Sequence, residues 1–185
     1  MTAGQPFRFA TSNAGKLREA RALLPVPIEA LEVDLQEIQG ASIEAISLHK
    51  LDQARRLVAG PVFVEDVGLG FDALGGFPGP YVKWLLSAAG GAGVGRIAAG
   101  LPDTTGSAVC HLAVWDGDSM RSFVGECRGR LLAEPRGTGG FGWDPWFEPQ
   151  GSSLTYAEMS EAEKSRISHR AKAYSMFSAF LSSRA

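Results

Sequence analysis

Two adjacent carboxylates, Glu65 and Asp66, follow the apolar run Val62-Phe63-Val64, and Gly68, Gly70, Gly75, Gly76 and Gly79 come after them. A buried strand ending in acid and then in glycines describes the floor and rim of a site, because glycine lets backbone and ligand approach closely. A third acid, Glu37, stands in "DLQEIQG". Magnesium takes hard oxygen ligands, usually one or two carboxylates, with water and substrate phosphate completing its octahedron. A carboxylate that the metal leaves partly unused can orient or deprotonate a water for in-line attack on phosphorus. The plainer alternative is that the pair meets surface lysines or caps a turn; the apolar strand leading into it favours a site.

The stretch "TSNAGK", Thr11 to Lys16, supplies a second chemistry. Where a strand hands over to a helix, free N–H groups, the positive end of the helix dipole and a lysine ammonium can converge on an anion such as phosphate. The full G-x-x-x-x-G-K-[ST] spacing of a Walker loop is missing. On this motif alone, a plain turn at Asn13 and Gly15 with a solvated Lys16 fits equally well. A third element joins "FGWDP" to "SHR": Phe141, Gly142, Trp143 and Asp144, then Ser168, His169 and Arg170. Aromatic rings offer a stacking platform for a base, and His and Arg near a helix start donate to carbonyl or phosphate oxygen. Core packing is the commoner fate of Phe and Trp.

The elements that position these residues follow from hydrophobic spacing. Phe7 to Ala10 reads as a strand, followed by a polar turn and a helix with Leu17, Ala20 and Leu24 on one face. A second helix holds Ile43, Ile46, Leu51, Ala54 and Leu57 near helical spacing, and Gly60 with Pro61 stops it. "GPYVKWLLSAAG" reads as helix, while "GGAGVGRIAAGLPDTTG" reads as loop: its Gly91, Gly93 and Gly95 follow a helix rather than a strand and lack a dinucleotide fingerprint's spacing. "SAVCHLAVW" and "RSFVGECRG" form a hairpin about Asp116-Gly117-Asp118-Ser119, bringing Cys110 near Cys127 without a disulfide. "SEAEKSRISHRAKAYSMFSAFLSS" reads as helical, with Ser160 and Glu163 at capping-box spacing.

The 185 residues, 45% hydrophobic, suit one α/β domain drawn into two lobes. Eighteen Lys and Arg against 20 Asp and Glu leave a net charge of -2, so no basic face for nucleic acid or anionic membrane is expected and any anion site must be local. No apolar run reaches the roughly 18 residues of a membrane span and no secretory leader is evident, which implies a cytoplasmic protein.

In order, "ATSNAGK", "EIQG", "VEDVGL", "ALGGFPGPYVKW", "FGWDP", "YAEMS" and "EKSRISHR" resemble the inosine triphosphate pyrophosphatase family, from Phe7 to about Ala173. The resemblance implies one nucleoside triphosphate pyrophosphatase domain over 1–185, an α/β fold of two lobes around a long mixed sheet with a central active-site cleft, usually as a homodimer. It also implies magnesium-dependent hydrolysis of inosine, deoxyinosine and xanthosine triphosphates to monophosphate and pyrophosphate. Attack at the α phosphorus comes from the resemblance alone.

Carried over residue by residue, Thr11, Ser12, Asn13, Ala14, Gly15 and Lys16 would hold the triphosphate with Lys50 and Lys83. Glu37 and Asp66 would serve Mg2+, Asp66 would also be the base for the attacking water, and Glu65 would support it. Phe141 would stack on the purine, Gly142, Trp143 and Asp144 would line its pocket, and Lys164, His169 and Arg170 would read or anchor the nucleotide. Donors from His169 and Arg170 suit a 6-keto group, and the 6-amino group of adenine would leave them unpaired at roughly 1 to 3 kcal/mol each. Val67 stands where the family commonly has Ser or Thr; only backbone contacts would survive there. A relative acting on modified pyrimidine or methylated purine triphosphates, and a non-catalytic nucleotide-binding relative, are the competing readings.

Overall fold

The computed structural model describes residues 6–183. The chain runs β1 (Phe7–Ala10), α1 (Ala14–Leu23), β2 (Ile28–Leu31), α2 (Ile43–Leu57), β3 (Val62–Phe71), β4 (Pro78–Gly79), α3 (Val82–Ala89) and α4 (Gly91–Ala99). It continues through β5 (Thr105–Trp115), β6 (Met120–Leu131), β7 (Phe147–Pro149), α5 (Glu161–Ile167) and α6 (His169–Ser182), with two short 3-10 turns at Asp72–Leu74 and Asp144–Trp146. The seven strands form a mixed sheet in the order β2-β1-β3-β5-β6-β7, with β4 paired to β3. β1 is parallel to β2 and β3, whereas β4 and β7 are antiparallel to β3 and β6. This is the α/β mixed-sheet fold class that the sequence predicts.

Two compact units divide the chain. The first holds, of the described residues, 6–66, Cys110–Gly125 and 172–183. β1 and the first half of β3 are buried on both faces. On one face Phe7, Phe9, Phe63, Leu112 and Val114 pack with Tyr174 and Phe177 of α6; Phe9 and Phe63 stack with centroids 4.4 Å apart. On the other, Val62, Val64 and Ala113 pack against Leu51 and Ala54 of α2. Side chains alternate along a strand, so this two-sided burial explains why β3 begins as an unbroken apolar run.

The second unit holds Val67–Val109 and Glu126–Ala171. Leu69, Phe71, Val82, Val94, Leu131, Trp143, Phe147 and Tyr156 make its core. Capping chemistry sets several boundaries. Asn13 accepts from Lys16 N at the start of α1, Ser42 from Ala45 N at the start of α2, and Ser160 with Glu163 closes the expected capping box on α5.

Three expectations change. β3 does not end at the acids but continues to Phe71. The glycine-rich segment read as loop is helix α4. A Cβ at Gly91 would overlap the Trp146 ring and one at Gly95 would overlap Ala133 O, so these glycines permit a close helix contact that outweighs their poor helix propensity. The last helical stretch is two helices, parted at Ser168, whose extended backbone ends α5 while its hydroxyl accepts from Ala171 N. The strands β2, β4 and β7 are too short to have been read from periodicity. The predicted β5–β6 hairpin is present: Asp116 N donates to Ser119 O, and the Asp116 carboxylate accepts from Asp118 N and Ser119 N. Cys110 and Cys127 are buried thiols with no disulfide between them. Among the described residues no helix is long and apolar enough to cross a membrane.

Candidate active site

In the first unit, Thr11 to Lys16 spans the passage from β1 to α1. Thr11 Oγ1 accepts from Asn13 N at 3.1 Å, and Asn13 Oδ1 accepts from Lys16 N at 3.0 Å, so the turn is tied by its own side chains. Ser12, Asn13 and Ala14 are exposed, and Ala14 and Gly15 lie in the first turn of a ten-residue helix, where N–H groups have no earlier carbonyl to meet. Lys16 does not float in solvent. Its Nζ donates to Glu65 O at 2.9 Å and lies 3.4 Å from Glu65 Oε1, which leaves its side chain 18% exposed.

The two neighbouring acids on β3 face opposite ways, as strand geometry requires. Glu65 shares Phe63's face; its side chain is fully buried and its Oε2 accepts from the Tyr174 hydroxyl at 3.1 Å. Asp66 shares the face of Val62 and Val64, and there it meets α2. Asp66 Oδ1 accepts from Lys50 Nζ at 2.6 Å and Oδ2 from Ser47 Oγ at 2.9 Å. Lys50 Nζ also reaches Glu37 Oε2 at 3.2 Å. Burial is the largest single influence on the Lys50 ammonium and pushes its pKa down. The Asp66 and Glu37 carboxylates together outweigh it and hold the pKa above the ordinary lysine value. Lys50 therefore stays charged.

Glu37 and Asp66 thus face one point, marked by the Lys50 ammonium, and offer only hard oxygen. Among the described residues no group of three or more His, Cys, Asp or Glu side chains is arranged to hold a metal ion. The donor set suits a cation that takes two carboxylates and fills its remaining positions with water and phosphate, which is the habit of magnesium rather than of zinc.

In the second unit, the "FGWD" segment builds a different surface. Asp144 Oδ2 accepts from Phe141 N at 2.8 Å and from Lys164 Nζ at 2.6 Å, and both charged side chains are almost wholly buried. Lys164 Nζ lies 5.0 Å from the Phe141 ring centroid and Arg170 Cζ 5.4 Å from it, so two cations approach this half-buried ring. Gly142 bends the chain beside it with φ +65°. Trp143 takes the core position that is the commoner fate of aromatics: it packs edge-on against Phe147 at 5.6 Å and lies 5.3 Å from the His169 ring. His169 stacks on Tyr156 at 5.9 Å, and both His169 and Arg170 are buried at the start of α6.

Two further expected site residues, Lys83 and Val67, also lie in the second unit. Lys83 is exposed on α3 with its ammonium 5.3 Å from the Trp84 ring. Val67 packs its side chain against the second unit's core. Two residues absent from the sequence reading join the first unit's cluster, Ser47 and Tyr174, both fully buried. Ser47 lies one turn before Lys50 on α2, and that spacing was the available signal; Tyr174 had none.

A mixed α/β sheet protein that pairs acids with lysines beside a helix N-terminus, and separately sets cations around an aromatic ring, has the chemistry of a protein that handles a phosphorylated aromatic ligand. The chain belongs to the Ham1 family, whose model matches residues 7–180. It is 43% identical over 182 residues to the inosine triphosphate pyrophosphatase of Yarrowia lipolytica, covering 96% of each chain. It is 46% identical over 167 residues to inosine triphosphate pyrophosphatase 2 of Trypanosoma cruzi, covering 88% of this chain and 85% of that one. Among solved structures, a HAM1 protein from Coxiella burnetii superposes with a TM-score of 0.81 at 27% identity, covering 96% of this chain and 98% of that one.

Proposed function

We propose that the protein hydrolyses noncanonical purine nucleoside triphosphates, those of inosine, deoxyinosine and xanthosine, to the monophosphate and pyrophosphate. The observation that carries this reading is the pairing of the motif acids with the motif lysines in the first unit: Lys16 on Glu65, and Lys50 on Asp66 and Glu37. Relatives bearing the name inosine triphosphate pyrophosphatase over nearly the whole chain supply the substrate class.

In this reading the Thr11–Lys16 turn and Lys50 bind the triphosphate, joined by Lys83. Asp66, oriented by Ser47 and Lys50, takes a proton from water as its oxygen bonds to the α phosphorus; the bond from that phosphorus to the bridging oxygen breaks and pyrophosphate leaves. Glu65 keeps Lys16 in place. Glu37 and Asp66 would hold Mg2+, which when bound supplies charge neutralisation for the phosphates and a more acidic water. Phe141 offers its ring to the purine, and donors from His169 and Arg170 select a 6-keto group over a 6-amino group. A homodimer in the cytoplasm completes the reading, and light scattering on the purified protein tests its oligomeric part.

Incubation with inosine, xanthosine, guanosine and adenosine triphosphates, with magnesium or with chelator, and separate assays of pyrophosphate and orthophosphate, tests the proposal. Pyrophosphate from the inosine and xanthosine substrates in magnesium alone supports it. Orthophosphate overturns the cleavage site, turnover in chelator overturns the metal, and equal use of adenosine triphosphate overturns the base selection.

A further inference from the structure

The Tyr174 hydroxyl belongs to no motif, yet it touches the acid that holds the phosphate-turn lysine. Two contacts of Glu65 fall on different carboxylate oxygens: Oε2 accepts from Tyr174 at 3.1 Å, and Oε1 lies 3.4 Å from Lys16 Nζ. The Glu65 side chain is fully buried, and Tyr174 is itself fully buried on α6, with its ring 6.2 Å from Phe63 in an edge contact. Packing fixes the ring, and the ring's hydroxyl fixes one oxygen of the carboxylate. A carboxylate anchored at one oxygen cannot rotate freely about its own bond, so the other oxygen keeps its aim at the ammonium.

We infer that Tyr174 is a positioning residue that acts through Glu65 to set the Lys16 ammonium for the substrate's phosphates. The inference rests on the phosphate-binding role proposed for Lys16. A tyrosine serves this purpose better than a charged donor would, because it anchors the acid in an apolar cluster without competing with Lys16 for the carboxylate's charge. When phosphate arrives, Lys16 keeps one acidic contact and its carbonyl contact rather than collapsing onto both carboxylate oxygens.

The test compares the wild-type protein with Tyr174→Phe, Lys16→Met and the double variant. Two readouts are binding of inorganic tripolyphosphate by calorimetry and the KM and kcat for inosine triphosphate. Tyr174→Phe is expected to weaken tripolyphosphate binding and raise KM by about threefold to tenfold, the scale of a partly transmitted hydrogen bond to a charged group. It should change kcat less than KM, and it should add nothing once Lys16 is methionine. Glu65→Gln, which keeps the side chain's size, should show the same dependence on Lys16 and covers the case in which Tyr174→Phe folds poorly. Wild-type binding indifferent to Lys16→Met would overturn the phosphate role of the turn, and the inference with it. Lys16-dependent binding that neither Tyr174→Phe nor Glu65→Gln weakens, or a weakening just as large in the Lys16→Met background, would overturn the inference alone.

Discussion

Replacing Asp144 with alanine removes the carboxylate that a buried ammonium, Lys164, pairs with. Lys164 and Asp144 are 9% and 5% exposed in their side chains and meet at 2.6 Å. At that separation Coulomb attraction is bounded at about 6 kcal/mol for an effective dielectric of about 20, and desolvation of both ions offsets much of it. Removing one partner of such a buried pair costs about 3 to 5 kcal/mol. For a chain of this length each kcal/mol moves the melting temperature by about 2 to 4 °C, so Asp144→Ala should lower it by roughly 6 to 20 °C. Adding Lys164→Met removes the second buried charge and should restore most of the loss, because an apolar replacement of a buried pair is often near neutral. The double variant separates stability from function: it should melt near wild type yet use inosine triphosphate poorly, since it lacks one of the two cations beside Phe141. Urea unfolding of the wild type and the two variants at neutral pH gives the answer. A single variant within about 1 kcal/mol of wild type, or a double variant no more stable than the single, would refute the reasoning.

Three other outcomes follow from the geometry. Asp66→Asn should keep the far-ultraviolet circular dichroism spectrum and lose turnover by a factor of about 100 or more; most of the activity surviving would remove Asp66 from the base role. Gly140 has φ +70°, and a Cβ there would overlap the Asp144 carboxylate. Gly140→Ala should therefore lower the melting temperature and raise KM for inosine triphosphate together; a neutral result would show that the loop relaxes without disturbing Asp144. The Arg130 guanidinium donates to Glu148 at 2.6 Å and is the main reason its carboxyl pKa lies below the ordinary value, burial opposing and Arg136 assisting. A depressed folded pKa means stabilisation that is present above the unfolded value, about 4.3, and is lost as pH falls through the lower folded value. Glu148→Gln should thus be less stable than wild type at pH 7, and the gap in urea midpoint should close as the pH drops through that acidic window; a gap constant with pH would contradict it.

Much of this arrangement is legible in the sequence where its causes are local. The turn into α1 follows from Asn13 acting as a cap, α5 from the Ser160–Glu163 box, and the hairpin from Asp116 binding its own turn. What the sequence conceals depends on partners far along the chain. Helix α4 looks like a loop because glycine is a poor helix former, and only Trp146 and Ala133, brought close by the fold, reveal that the small residues are there for packing. That Trp143 packs against Phe147, Tyr156 and His169 could not be read from its motif. Tyr174 stands 109 residues from Glu65, and no periodicity marks an α6 tyrosine as an acid's partner.

The adjacency of Glu65 and Asp66 is itself explained by the strand that carries them. Because successive side chains on β3 point to opposite faces, neighbouring acids cannot share a single role. Glu65 enters the aromatic cluster with Tyr174 and holds the lysine of α1, while Asp66 turns to α2 and takes Ser47 and Lys50. A one-residue slip of β3 would exchange both faces at once, putting Asp66 among phenylalanines and Phe63 against α2. The pairing of Arg8 with Val62 and Phe9 with Phe63 fixes that register at the other end of the strand. The same geometry bears on Val67, which follows the acid pair directly. Val67 lies on the strand face opposite Asp66, and its side chain packs in the second unit's core; the hydroxyl that touches Asp66 comes from Ser47 instead. Orientation of the proposed base therefore rests on α2, and substitutions at Ser47 rather than at Val67 should disturb it.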